Sequence, residues 1–116
     1  MSTQQDLILH QNNDEVINLT ITTSNLAEDL SLVTQLRFYL KPDRCTADTD
    51  SSVTILTSTN VSQISITSQS ATQIVAVVYI PAAVLVDPYT RWWRIDAYVG
   101  AMKRTALYGQ ATVIDL

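Results

Sequence analysis

The stretch RWWRIDAYVGAMKRTALYG, residues 91–109, alternates on both sides of a single glycine. On an extended chain Trp93, Ile95, Ala97 and Val99 share one face, and Trp92, Arg94, Asp96 and Tyr98 share the other. Successive side chains of a strand point to opposite sides of a sheet, so this period of two marks a half-buried strand. Gly100 stands where the chain must reverse, and KRTALYGQATVIDL (103–116) supplies the return strand. Gly109 lies inside that strand as a candidate bulge site, since glycine interrupts a regular ladder at little steric cost. The hairpin decides the fold class, because nothing in it has the 3.6-residue period of a helix.

The same period recurs upstream. In EVINLTIT (15–22) Ile17, Leu19 and Ile21 fall on one face, with Asn18, Thr20 and Thr22 on the other. TQLRFYLK (34–41) places Leu36, Phe38 and Leu40 inward, and Pro42, which has no N–H to give a ladder, ends it. QIVAVVYI (73–80) is so continuously apolar that cover on both faces is expected. The connections NLAEDLSLV (25–33) and PDRCTADTDSS (42–52) are polar, and PAAVLVDPY (81–89) is the one helix-like piece. With two glycines in the chain, Asn, Asp and Ser are expected at the turn positions that need positive φ. This pattern predicts an all-β antiparallel sandwich of about seven to eight strands. Residues 7–116 form its single domain, and residues 1–6 are expected as a flexible N-terminal arm that orders against a neighbour. Its predicted core is Leu19, Ile21, Leu36, Phe38, Trp93, Ile95 and Val113.

Totals narrow the function. At 116 residues the chain is one domain, and 47 % hydrophobic against 16 % charged residues is a folding composition. No run reaches the roughly 18–20 apolar residues of a membrane helix, so no membrane partner is expected. The start lacks a basic segment followed by an apolar one, so no signal peptide is expected and synthesis is cytoplasmic. Seven Lys and Arg against eleven Asp and Glu give a net charge of −4. That is the wrong balance for neutralising phosphates, and no nucleic-acid partner is expected. A lone cysteine, Cys45, excludes an internal disulfide framework and a multi-cysteine zinc site.

Candidates for chemistry are few. His10 is the single histidine, without a nucleophile-elbow motif, and no catalytic residue is assigned. Asp43, Asp48 and Asp50 share a loop, but it lacks the glycine and distal glutamate of a calcium-binding loop, so neither metal nor other cofactor is expected. The protein-interface candidates are Trp92, Arg94 and Tyr98, all on the outward side by alternation. Arg94 can lie over Trp92 or pair with Asp96. Trp92 and Tyr98 are six residues apart, about 20 Å along one strand, which is far for neighbouring stacking subsites of a carbohydrate-binding module. The expectation is that Trp93 anchors the core while a loop or a neighbouring subunit covers Trp92.

In order, the strands show a further pattern. A polar turn from Asn12 to Glu15 precedes the LTIT run, and Arg37 to Lys41 reads RFYLK. An aromatic strand runs from Trp92 to Val99, and the closing hairpin carries Arg104, Leu107, Gly109 and Val113 at matching spacing. Over nearly its whole length the chain resembles the small immunoglobulin-like β-sandwich domains of tailed-bacteriophage virions. These occur at the N-terminus of baseplate upper proteins and as stand-alone head or tail proteins. The resemblance implies an immunoglobulin-like fold and a non-enzymatic structural role in the virion. With no receptor-binding or fibre module after the sandwich, the expectation is a capsid decoration or minor head protein that docks on the major capsid protein. A homo-oligomer is a further expected partner, and a tail or baseplate adaptor is the alternative. An acidic, Thr/Ser-rich surface suits a particle exterior that must not bind polyanions.

Overall fold

The computed structural model describes residues 3–23, 29–43, 45–86 and 89–114, and in it the chain forms two sheets. In chain order the strands are β1 (Thr3–Gln4), β2 (Leu7–His10), β3 (Glu15–Thr22), β4 (Gln35–Lys41), β5 (Thr54–Thr57), β6 (Ile64–Gln69), β7 (Gln73–Ile80), β8 (Thr90–Val99) and β9 (Met102–Ile114). The larger sheet has the order β1-β9-β8-β4-β5, with β2 also on β9, and the smaller has the order β3-β7-β6. Adjacent β9, β8 and β4 facing β3, β7 and β6 is the G-F-C and B-E-D arrangement of an immunoglobulin-like sandwich. Short 3-10 turns at Leu30–Leu32 and Ala82–Val84 are the helical pieces among the described residues, the second inside the segment read as helix-like.

One core joins the sheets. Leu19, Ile21, Leu36, Phe38, Trp93, Ile95 and Val113 all lie in a single buried cluster, together with Leu9, Leu40, Leu56, Ile64, Ile74, Val78 and Leu85 among others. At its centre the rings of Phe38 and Trp93 stack with centroids 5.6 Å apart. Each pair of this kind adds about 1 kcal/mol beyond the area it buries.

The β8–β9 hairpin closes through Gly100 and Ala101, with Val99 opposite Met102. Gly100 has φ +59° and Ala101 does not share it, so positive φ falls on the first turn position alone, where a type II′ turn needs glycine. Asn12, at φ 62°, is the one non-glycine residue of positive φ among those described. The irregularity in β9 is not at Gly109. The register skips between Ile95, opposite Leu107, and Asp96, opposite Thr105, which leaves Ala106 as the extra residue.

Gly109 has a different role, and it corrects the expected arm. From Thr3 onward the N-terminal residues lie in the larger sheet: β1 and β2 run parallel to β9, Thr3 beside Leu107 and Leu7 beside Ala111. Residues 1 and 2 fall outside the described set. Gln5 donates its N–H to the Tyr108 carbonyl at 2.7 Å, and its own carbonyl accepts the Trp93 indole N–H at 2.9 Å. The Asp6 carboxylate accepts the Gln110 N–H at 3.0 Å. A Cβ on residue 109 would stand 2.0 Å from the Gln5 carbonyl oxygen, so only glycine lets this segment seat. The first strand runs beside the last in the same direction before crossing to the smaller sheet, a parallel pair within an otherwise antiparallel sandwich.

A second correction concerns β7. Ile74, Ala76, Val78 and Ile80 are buried, but Val75 and Val77 are half-buried and Tyr79 is exposed. Its continuous apolar run therefore has one covered face and one open face.

Candidate functional site

The outer face of the larger sheet carries Trp92, Arg94, Asp96 and Tyr98, as alternation along β8 requires. Neighbouring strands complete rows across it: Lys41–Trp92–Gln110, Tyr39–Arg94–Tyr108, Arg37–Asp96–Thr105 and Gln35–Tyr98–Lys103. This face is not simply solvated. Asp96 is fully buried and Tyr39 nearly so, while Trp92, Arg94 and Tyr98 are half-buried.

Arg94 organises it. Its Nε donates to both oxygens of Asp96, at 3.1 and 3.0 Å. Its Nη1 and Nη2 donate to the two oxygens of Asp48 at 2.9 and 2.6 Å, a fork-to-fork pair. The guanidinium carbon lies 4.1 Å above the centre of the Tyr39 ring. Thr105 Oγ1 donates to Asp96 at 2.9 Å, so the buried carboxylate is satisfied on both sides. Lys41 Nζ pairs with Asp48 and donates to the Thr46 carbonyl at 2.8 Å, which pins the 45–50 loop against the sheet. The hydrogen bonds from Arg94, and then from Lys41, hold the Asp48 carboxyl well below the usual aspartate range. The bond to Asp48 likewise raises Arg94 above its ordinary value.

Beside this network lies a pocket of about 200 Å³, lined by Trp92, Tyr108, Tyr39, Lys41, Arg94 and Gly109 among others. Of the three interface candidates, Trp92 and Arg94 meet here and Tyr98 does not. Tyr98 sits toward the hairpin, its hydroxyl 3.4 Å from that of Tyr39 and its ring under Arg37 at 5.1 Å. Burial is the first cause that raises the Tyr98 phenol above its ordinary value. Arg94 takes the Asp96 pairing open to it and adds Asp48, a partner from a loop 46 residues earlier.

Tyr108 is the residue that sequence reading missed. It is 41 % exposed and directly opposite Arg94. Strict alternation from Thr105 would turn Tyr108 inward, and the extra residue at Ala106 turns it outward instead.

The acidic loop spends its oxygens locally. Asp43 accepts the Cys45 N–H at 2.9 Å, and Asp50 accepts from both the N–H and the hydroxyl of Ser52. Among the described residues no group of three or more His, Cys, Asp or Glu is placed to hold a metal ion. His10 pairs through Nδ1 with Glu15 at 2.8 Å, across the turn that leads into β3, away from the pocket. What the face offers is a pair of partly exposed aromatics on a cross-linked floor, a chemistry of contact and stacking.

Compared with protein-family models and with curated protein sequences, the chain matches none.

Proposed function

We propose that this chain is a non-enzymatic structural protein of a bacteriophage virion, a capsid decoration or minor capsid protein that docks on the shell through the outer face of the larger sheet. One observation carries the reading. Trp92 and Tyr108 stand partly exposed beside a floor whose charges are already paired to one another. Such aromatics lose little freedom on binding, and the paired charges present no bare ion to be desolvated, which is the composition of an interface hot spot. The resemblance of strand spacing to virion sandwich domains supplies the particle.

The test is to detect the chain in purified particles by mass spectrometry and then compare its copy number with that of Trp92→Ala by gel densitometry. Trp92 is half-buried on the outer face, so the variant folds, and its occupancy falls by tenfold or more. Full occupancy, with normal particle stability on heating, overturns the reading.

The pocket favours one other reading, a carbohydrate-binding module. Its volume suits a single sugar ring, and Trp92 has Tyr108 beside it in place of the distant Tyr98. Glycan-array binding that disappears in both Trp92→Ala and Tyr108→Ala would decide for it.

A further inference from the structure

The described strand edges are not alike. β5 is four residues long. The β1–β2 line is broken at Gln5 and Asp6 into strands of two and four residues. β6 carries a register shift between Ile66 and Ser68. Shortness, interruption and bulging are the means by which sheets avoid pairing at their edges. β3 has none of them. It runs eight residues in unbroken register on β7, and no described strand lies on its other side. From Val16 to Thr22 it contains no charge, no proline and no glycine.

The hydrogen-bonding direction of β3 is fixed at its end. Thr23 donates its N–H to the Thr72 carbonyl at 3.1 Å, continuing the ladder to β7. Alternation along an antiparallel pair then turns the odd-numbered residues toward β7 and leaves the N–H and C=O groups of Val16, Asn18, Thr20 and Thr22 at the open edge. The side chains of these four are exposed. In a four-stranded A-B-E-D sheet this edge is where the first strand sits. Here the first strand is committed elsewhere, held on β9 by Gln5, Asp6 and Trp93.

We propose that this edge pairs with the β3 edge of a second copy of the chain, antiparallel about a twofold axis at Leu19, joining the two smaller sheets into one. The register about that axis is self-complementary. Val16 stands opposite Thr22 and Asn18 opposite Thr20, so the free backbone groups of both copies meet as narrow pairs, each exchanging both bonds. Ile17 falls opposite Ile21, and Leu19 opposite its own counterpart, so every core-facing residue stays on the core side. No like charges meet across the axis, in a chain whose net charge of −4 otherwise repels its copies. A charged partner strand would find no counter-charge there, which favours a copy of the same neutral strand. Because the other described edges are blunted, the contact is isologous and closes at the dimer. The inference does not depend on the virion reading, and Trp92→Ala leaves the dimer intact.

Sedimentation equilibrium on the full chain, with amide hydrogen exchange at low and high protein concentration, tests it. The wild type is expected at twice its 12.9 kDa chain mass, with the Val16, Asn18, Thr20 and Thr22 amides slowed as concentration rises. Asn18→Lys combined with Thr20→Lys sets lysine opposite lysine across the axis and is expected to weaken the dimer by about a hundredfold or more. A wild type that stays at one chain's mass up to about 1 mM overturns the proposal. So does a dimer that survives the lysine pair, or one whose edge amides exchange at the same rate at every concentration. The exchange measurement on the wild type decides the matter even where the lysine variant fails to fold.

Discussion

The outer faces of the two sheets differ in kind although one core lies between them. Four of the seven Lys and Arg residues, Arg37, Lys41, Arg94 and Lys103, lie in the rows of the larger sheet's outer face. The smaller sheet has no basic residue at all, and its single acid is Glu15 at the start of β3. From Ser51 to Val86, a span that includes β5, β6 and β7, no side chain carries a formal charge. On the larger sheet, charges are interleaved with aromatic rings and tied to a loop. On the smaller, Val16, Asn18, Thr20, Val75, Val77 and Tyr79 form a neutral surface rich in valine. One face owes its order to specific polar contacts, and the other to the backbone ladder and the core beneath. Substitutions should therefore be costly on the first and cheap on the second, unless they reach the shared core.

The largest effect removes the comparison altogether. Phe38→Ala or Trp93→Ala should cost about 3–5 kcal/mol, because each empties the centre on which both sheets rest. Denaturant unfolding should then show both faces lost in one transition, and a wild-type midpoint would mean that these two rings do not carry the core. Arg94→Gln comes next. It leaves the buried Asp96 carboxylate with Thr105 as the side-chain donor shown to it among the described residues, and stability should fall by about 3 kcal/mol in the same assay.

A smaller effect separates the faces by pH. Asp48 has its pKa depressed from the ordinary value of 3.8. A group of this kind stabilises the fold above its unfolded value, and the contribution is lost as pH falls from about 4 toward the folded value. With Asp48 36 % exposed, solvent screening limits its contribution to about 1 kcal/mol. Asp48→Asn should lower stability at neutral pH and flatten its fall between about pH 4 and pH 2. An acid limb identical to the wild type would show that the loop anchor does not contribute. The smallest effect is on the neutral face: Gln73→Lys, at an exposed position of β7, should change stability by less than about 0.5 kcal/mol. A large loss there would show that the smaller sheet's outer face is already in contact with something.

How legible these features were depended on the range of the interaction behind them. Leu19, Leu36, Phe38, Trp93 and Ile95 were readable because burial of one sheet face imposes a period of two that needs no tertiary knowledge. The apolar run of β7 misled for the same reason. Valine is favoured in strands whether its face is covered or open, so Val75 and Val77 looked like core. Tyr108 was missed because its place opposite Arg94 is set by the register of β9 on β8, which no local period records. The Asp48–Arg94 pair, and the seat that Gly109 makes for Gln5, join residues far apart in sequence, and no local period records them.

The parallel run of the first strand beside the last also has a mechanical consequence. Tension applied to the two ends of the chain would pull Leu7–His10 and Ala111–Ile114 past each other along their common direction, with Thr3–Gln4 and Leu107–Tyr108 loaded in the same way. Bonds that cross the line of force in this manner bear it together, in shear, and do not open one after another like a zip. Resistance to pulling is governed by the height of the unfolding barrier, and here that barrier requires a whole row of bonds to fail at once. A stretched molecule should hold until the Gln5 contacts with Trp93 and Tyr108 rupture, and then lengthen abruptly.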